Sequence, residues 1–370
     1  MSKILFWLLA VIFTASGTSS WATETSGSGL YVTVIQEPSV LQSRSAIKGL
    51  IDFSKKNGIK TLYVQIYRAN RAWFRSNFAD SAPYEECLKN VSEDPFSLLI
   101  REAHASGIKV HAWLNLLSLS KNTEAPLLKK YGLSILTTNT KEKHVLEDYK
   151  IDEQYFLEPG DLRVRNDLTE IVGEILMSYP DLDGIQFDYI RYPDEHPVYG
   201  YTKMNMERFK KSSGCKEIKE DSKKWKDWKR AQVTGLLTQL VEKTRSIRPD
   251  IHISTTGCAP YSRAYHEALQ DWASWLRSGL VEFVTVMSYA ADPAKFKEYV
   301  FDVKSTARDM KKINLAVGAY ELVDSPKKFE EELSVSETSG CASSVIFHYG
   351  SLLENPDMKE ILMKHPPSRS

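Results

Sequence analysis

A chain of 370 residues with 48 basic and 48 acidic side chains has no formal net charge, and 42% of it is hydrophobic and 26% charged. Those proportions describe a globular protein with a substantial core, and the charge balance argues against nucleic acid as a partner. The length permits either two domains or one barrel.

The first 22 residues follow their own logic: Lys3, the apolar run ILFWLLAVIF, then small and polar residues up to Ala22. That order predicts a signal peptide over 1–22, cut after Ala22, and a flexible leader over 23–29. The apolar run is shorter than the roughly 20 residues of a spanning helix, so an uncleaved anchor is the weaker reading. The expected location is periplasmic or secreted, with no stable membrane insertion after cleavage. Cys87, Cys215, Cys258 and Cys341 all lie in the mature chain without a CxxC spacing. Disulfides and buried thiols both remain open, while a metal site is not expected. Neither is a cofactor, and the chain is expected to be a monomer.

From residue 30 onward, β-rich runs alternate with helical stretches. LYVTVIQ (30–36) precedes SRSAIKGLIDFSKKNG, and KTLYVQIY (60–67) precedes, after a loop, DPFSLLIREAHASG. IKVHAWLN (108–115) leads into a long insertion, and DGIQFD (183–188) into a Lys-rich loop and the helix KKWKDWKRAQVTGLLTQLVEKTRSI. IHISTT (251–256), VEFVTVMSY (281–289), INLAVGAY (313–320) and SSVIFHYG (343–350) complete eight strands. YFLEPGD (155–161) also reads as extended, and is assigned to the loop after the third strand. Gly58, Gly107 and Gly279 stand where helices should close in a left-handed residue. Eight strand–helix units over 30–365 predict a single-domain α/β fold, a (β/α)8 barrel. An open doubly wound sheet would be expected to show GxGxxG after its first strand, and none is there.

In such a barrel the active site forms at the C-terminal ends of the strands. Reading those ends gives Gln36, Gln65, Arg68, His111, Trp113, Asn115, Gln186, Asp188, Arg191, Thr255, Thr256, Ser288, Tyr289, Tyr320, Glu321, His348 and Tyr349. Alternation along DGIQFD puts Ile185 and Phe187 on one face and Gln186 and Asp188 on the other. An ionised carboxylate inside a barrel is costly without partners. A structural ion pair to Arg68 or Arg191 is one explanation for Asp188, and catalysis is the other.

Gln65, His111 and Gln186 read either as hydrogen-bonded core or as substrate contacts. Trp73, Trp113, Tyr289 and Tyr349 suit sugar stacking or packing under loops. Without a serine nucleophile motif, P-loop or HExxH pair, hydrolysis would rest on carboxylates. Glycoside hydrolysis usually needs one protonated and one ionised carboxyl group. Asp188 is the ionised candidate, with Arg68 and Arg191 lowering its pKa, while Glu158 and Glu321 compete for the acid. Asp183 opens its strand and reads as structural.

NGIKTLYVQIYRANRAWFRS, DPFSLLIREAHASGIKVHAWLN, YFLEPGDLRVRNDL, DGIQFDYIRYP and LQDWASWLRSGLVEFVTVMSYA resemble the glycoside-hydrolase-family-10-like proteins over roughly residues 29–350. The resemblance implies an exported barrel enzyme acting on a bacterial cell-envelope glycan. Peptidoglycan strands, including peptide-stripped ones, are the first choice, and an amino-sugar exopolysaccharide the second. It supports Arg68, His111, Trp113, Asn115, Asp188 and Arg191 as site positions. The chain departs from it at Glu158, where the family commonly has Asp, and at Met287-Ser288, where it commonly has Pro-Gln. A non-catalytic glycan-binding barrel is the rival from another class. It would keep the aromatic residues without needing Asp188 ionised.

Overall fold

The computed structural model describes residues 28–193 and 198–364. The signal-peptide reading and most of the predicted leader lie outside these residues. Eight parallel strands close into a barrel: β1 Ser28–Val32, β2 Ile59–Arg68, β3 Lys109–Asn115, β4 Gly184–Asp188, β5 His252–Cys258, β6 Phe283–Met287, β7 Ile313–Gly318 and β8 Ser343–Phe347. Each pairs with the next, and β1 joins both β2 and β8, which closes the ring. The layer outside comprises α1 Arg44–Lys56, α2 Pro95–His104, α3 Leu162–Ser178, α4 Lys223–Ile247, α5 Trp272–Arg277, α6 Pro293–Ala307, α7 Pro326–Thr338 and α8 Tyr349–Glu354. Among the described residues no helix is long and apolar enough to cross a membrane.

Local chemistry explains the boundaries. Asp94, Asp161 and Asp271 cap α2, α3 and α5 by accepting from backbone N–H groups of the first turn, where helices leave donors unpaired. Gly58, Gly107 and Gly279 have φ near +70° just before β2, β3 and the segment leading to β6, as the sequence predicts. Tyr155–Phe156 is extended, but it pairs antiparallel with Ser118–Ser120 in a two-stranded ribbon outside the barrel.

Strand register divides the core in two. Outward residues such as Ile185, Phe187, Val110 and Val284 pack against the helices, while Tyr31, Tyr63, Trp113, Phe283 and Val345 pack together inside the barrel. At the N-terminal end of β4, Asp183 accepts from Val110 N at 2.7 Å and pairs with His104 at 2.7 Å, which fits its structural reading. Just above, Gly184 lies against the His111 imidazole, so closely that a Cβ would overlap the ring. The four cysteines form no disulfide. On α7, Glu332 is fully buried, and neither carboxylate oxygen has a hydrogen-bond partner among the described residues.

Candidate functional site

The strand pairing sets Asn115 beside Asp188 at the same level of the barrel, with Thr256 next round the wall on β5. All three face inward at the C-terminal rim. Asp188 is 3% exposed. Its Oδ2 accepts from Trp113 Nε1 at 3.0 Å and Asn115 Nδ2 at 3.2 Å, and its Oδ1 from Thr256 Oγ1 at 2.5 Å and Tyr189 N at 2.7 Å. Every bond runs toward the carboxylate, the arrangement that suits an acceptor-only ionised group. Tyr189 takes up a left-handed φ of 55° to present its N–H, a conformation that non-glycine residues hold only where the surroundings impose it.

A second tier supports the first. Gln65 Nε2 donates to Asn115 Oδ1 at 2.6 Å and thereby turns the Asn115 amide toward Asp188. One layer down, Tyr31 donates to Gln186 Oε1 at 2.5 Å, and Gln186 Nε2 donates to Ser254 and Thr285 at 3.2 and 3.0 Å. Burial, and secondly the Asp188 charge, push the Tyr31 phenol well above its usual range, so it remains a donor.

Above Asp188 opens a cleft of about 470 Å³. One wall is charged, with Arg68, Arg191 and Arg263, while the other carries Tyr289, Tyr299, Tyr320, Phe347 and Glu321. The ring centroids of Tyr289 and Phe347 lie 5.1 Å apart, and Tyr320 stands edge-on to both at 5.6 and 5.7 Å. The Tyr320 hydroxyl donates to Glu321 Oε1 at 2.8 Å. Burial, followed by that bond, raises its pKa. Among the described residues no group of three or more His, Cys, Asp or Glu has a geometry fit for a metal ion.

Of the residues picked from sequence, the structure brings Arg68, Trp113, Asn115, Asp188, Arg191, Thr256, Tyr289, Tyr320, Glu321 and His348 to this cleft. Several others lie elsewhere. Glu158 does not line it: the side chain is fully buried, accepting from Tyr192 OH at 2.5 Å, Thr137 Oγ1 at 3.0 Å and Gly160 N at 3.1 Å. Burial raises its pKa despite those donors and the nearby Lys229, so it ties loops together beneath the surface. Gln65 acts through Asn115 rather than on the cleft itself, and Gln186 lies a layer below, bonded to Tyr31, Ser254 and Thr285.

His111 is fully buried deeper in the barrel, edge-on to Tyr63 at 5.2 Å and stacked on His252 at 6.2 Å. Burial foremost lowers its pKa to about 3, which keeps it neutral. Trp73 packs against the outer core. Tyr349 belongs to α8, outside the barrel, with its ring 5.1 Å from Phe53. Arg68 and Arg191 do not pair with Asp188, whose donors are all neutral; the Arg191 guanidinium instead lies 4.6 Å from the Tyr189 ring centroid.

Sequence reading missed Tyr31, Thr33 and Ile35, which reach the cleft from β1 and beyond. Their spacing of two carried the signal, since Gln36 has the opposite parity. Arg263 and Tyr299 arrive from helices that follow β5 and β6, where no strand alternation announces them.

Residues 19–332 match the family described as glycosyl hydrolase-like 10. Glycosyl hydrolase DigH of Escherichia coli is 25% identical over 261 residues, covering 65% of this chain and 56% of that protein. The Shigella flexneri protein of the same name gives the same figures. The chain thus spans about half the length of the curated relatives it matches. The catalytic domain of β-amylase from Paenibacillus polymyxa superposes with a TM-score of 0.59 at 12% identity, over 93% of this chain and 99% of that one. A GH42 β-galactosidase from G. stearothermophilus gives 0.61 at 12%, over 93% of this chain and 58% of that one. At such identities the two structures bear on the fold alone, and both share the barrel. The family match, by contrast, runs through β1 to β7, and by it the chain belongs to the glycosyl hydrolase-like 10 family.

Proposed function

We propose that the protein is a glycoside hydrolase that cuts an N-acetylhexosamine-containing cell-envelope glycan, with peptidoglycan strands, peptide-stripped ones included, as substrate. The observation that carries this reading is the setting of Asp188, an inward carboxylate at the C-terminal rim held by four donors under an aromatic-walled cleft. Asp188 attacks the anomeric carbon or stabilises the positive charge that develops on the ring. In a substrate-assisted variant the acetamido oxygen attacks and Asp188 orients it.

Glu321 is, with Asp188, a carboxylate that lines the cleft among the described residues, and it takes the part of the acid that protonates the leaving oxygen. Tyr289, Tyr320 and Phe347 offer the faces against which a sugar ring stacks. The basic and apolar N-terminal segment of the sequence supports export to the compartment that holds such glycans.

The test is incubation of the protein and its Asp188→Asn variant with intact and peptide-stripped peptidoglycan, followed by mass analysis of soluble products. The wild type should release fragments, and the folded variant should lose turnover. Full activity of Asp188→Asn would refute the assignment. Retention on the glycan without new reducing ends would favour a binding barrel, and products only from amino-sugar exopolysaccharide would move the substrate.

A further inference from the structure

The turn that follows β1 is inside out. Beyond Val32 the chain leaves the strand, and Ile35 stands 63% exposed on the wall of the cleft while the next residue, Gln36, is only 5% exposed. Among the described residues neither Nε2 nor Oε1 of Gln36 has a hydrogen-bond partner, and the same holds for Oγ1 of Thr33, a buried residue of the cleft wall. Water alone favours the reverse, with the amide outside and the alkyl side chain within.

The inverted pair is held in place. Val34 N donates to Gln65 Oε1 at 3.2 Å. Gly350, at the start of α8, admits two neighbours at once: a Cβ there would come within 3.0 Å of Gln36 Cβ and within 2.9 and 3.0 Å of His348 Cε1 and Nδ1. Gln36 and the His348 ring are therefore adjacent, and His348 also lines the cleft. Burial lowers the His348 pKa, so the ring is neutral. Its Nδ1 lacks a partner among the described residues and is able to donate or accept, according to tautomer. Imidazole and amide could satisfy each other, yet they do not. Four unpaired polar atoms thus gather on the β1–β8 side of the cleft beside an exposed alkyl side chain, and each is costly to leave buried and unmet.

A ligand that offsets this cost is apolar on one side and both donor and acceptor on the other. A hydroxyl brings no apolar surface, and a carboxylate donates nothing. An acetamido group has all three parts: a methyl for Ile35, a carbonyl oxygen for the Nε2 donor of Gln36 and an N–H for its Oε1 acceptor.

We infer that the turn Thr33–Gln36, with His348, receives the acetamido group of a sugar on the β1–β8 side of the cleft and so selects N-acetylated over plain hexoses. The inference rests on the proposed glycosidase reading. The Gln36 amide is buried, so binding includes a shift of the turn that carries it.

The experiment compares wild type, Gln36→Leu and Ile35→Ser on two neutral probes, a β-linked N-acetylglucosamine oligomer and a glucose oligomer of the same linkage and length. The wild type should favour the N-acetylated probe by about 10- to 50-fold in kcat/KM, chiefly through KM, as expected for two hydrogen bonds and a methyl contact. In Gln36→Leu that ratio should fall toward one, while the melting temperature stays level or rises, because the amide removed has no partner to lose. Ile35→Ser, at an exposed position, should lower the ratio by about 3- to 5-fold. Equal wild-type rates on the two probes, or a full ratio kept by both variants, would overturn the inference. So would a Gln36→Leu protein that melts lower yet keeps the ratio, since the amide would then be structural. If the wild type cuts neither probe, calorimetric binding of the same two oligomers decides instead. Binding that is selective for the N-acetylated oligomer and dependent on Gln36 then supports the inference while the hydrolase reading fails, and its absence overturns the inference.

Discussion

Replacing Glu332 by Gln is expected to stabilise the protein increasingly as pH rises. The side chain is fully buried, and both oxygens lack a hydrogen-bond partner among the described residues. Burial, then the charges of Glu321, Asp292 and Glu331, push its carboxyl from the ordinary 4.5 up to about 8, against the relief given by Lys328. The folded state therefore holds this proton more tightly than the unfolded chain. Below about pH 4.5 both states are protonated and the group costs nothing; the cost accrues as pH rises toward 8 and is complete above it. At about 1.4 kcal/mol per pH unit the ceiling is roughly 5 kcal/mol, and relaxation with water entry brings the expectation to about 2–4 kcal/mol. Unfolding entropy of about 2 cal/mol/K per residue converts that to roughly 3–6 °C in melting temperature for a chain of this length. The assay is urea and thermal unfolding of both proteins at pH 5, 7 and 9. A stability difference that stays flat across that range, or one that turns toward the wild type at pH 9, would refute the reasoning.

Glu158→Ala leaves Tyr192, Thr137 and Gly160 without their acceptor and should cost about 3–5 kcal/mol in unfolding free energy, while the folded protein keeps glycan cleavage at low temperature. Glu321→Gln should do the reverse, with an unchanged melting temperature and a loss of turnover seen in product analysis. Thr256→Val removes one donor from Asp188 and is expected to lower kcat by roughly 10- to 100-fold at unchanged fold, measured as steady-state rates on peptide-stripped strands; an unchanged kcat would detach Thr256 from the chemistry.

The strands were readable because their signals are local. Alternation along DGIQFD alone turns Asp188 inward and Ile185 and Phe187 toward the helices, and the glycines before β2, β3 and β6 mark where helices close. The height of a side chain in the barrel was not readable, since it depends on the stagger between neighbouring strands. Gln65 aligns with Trp113, a level below the Asn115–Asp188 pair, so a residue near its strand's end supports the site from beneath. The path of a long loop is equally tertiary: the carboxylate of Glu158 goes inward under Tyr192 instead of over the rim. At β8 the strand stops at Phe347, and two residues later Tyr349 has already entered a helix that carries it outside.

The contact of Gly184 with His111 reaches beyond packing. Seventy-three positions separate the two in the chain, yet neither is free to change alone. Any side chain at 184 strikes the imidazole, and a small residue at 111 opens a hole under the rings of Tyr63 and His252. Substitutions should be tolerated only as compensating pairs, a large residue at one site with a small one at the other, and a double-mutant cycle would register them as strongly non-additive. Asp188 stands four residues further along the same strand, about 13 Å higher. Its freedom to drift, in evolution as in thermal motion, is limited by this lock at the blind end of the barrel.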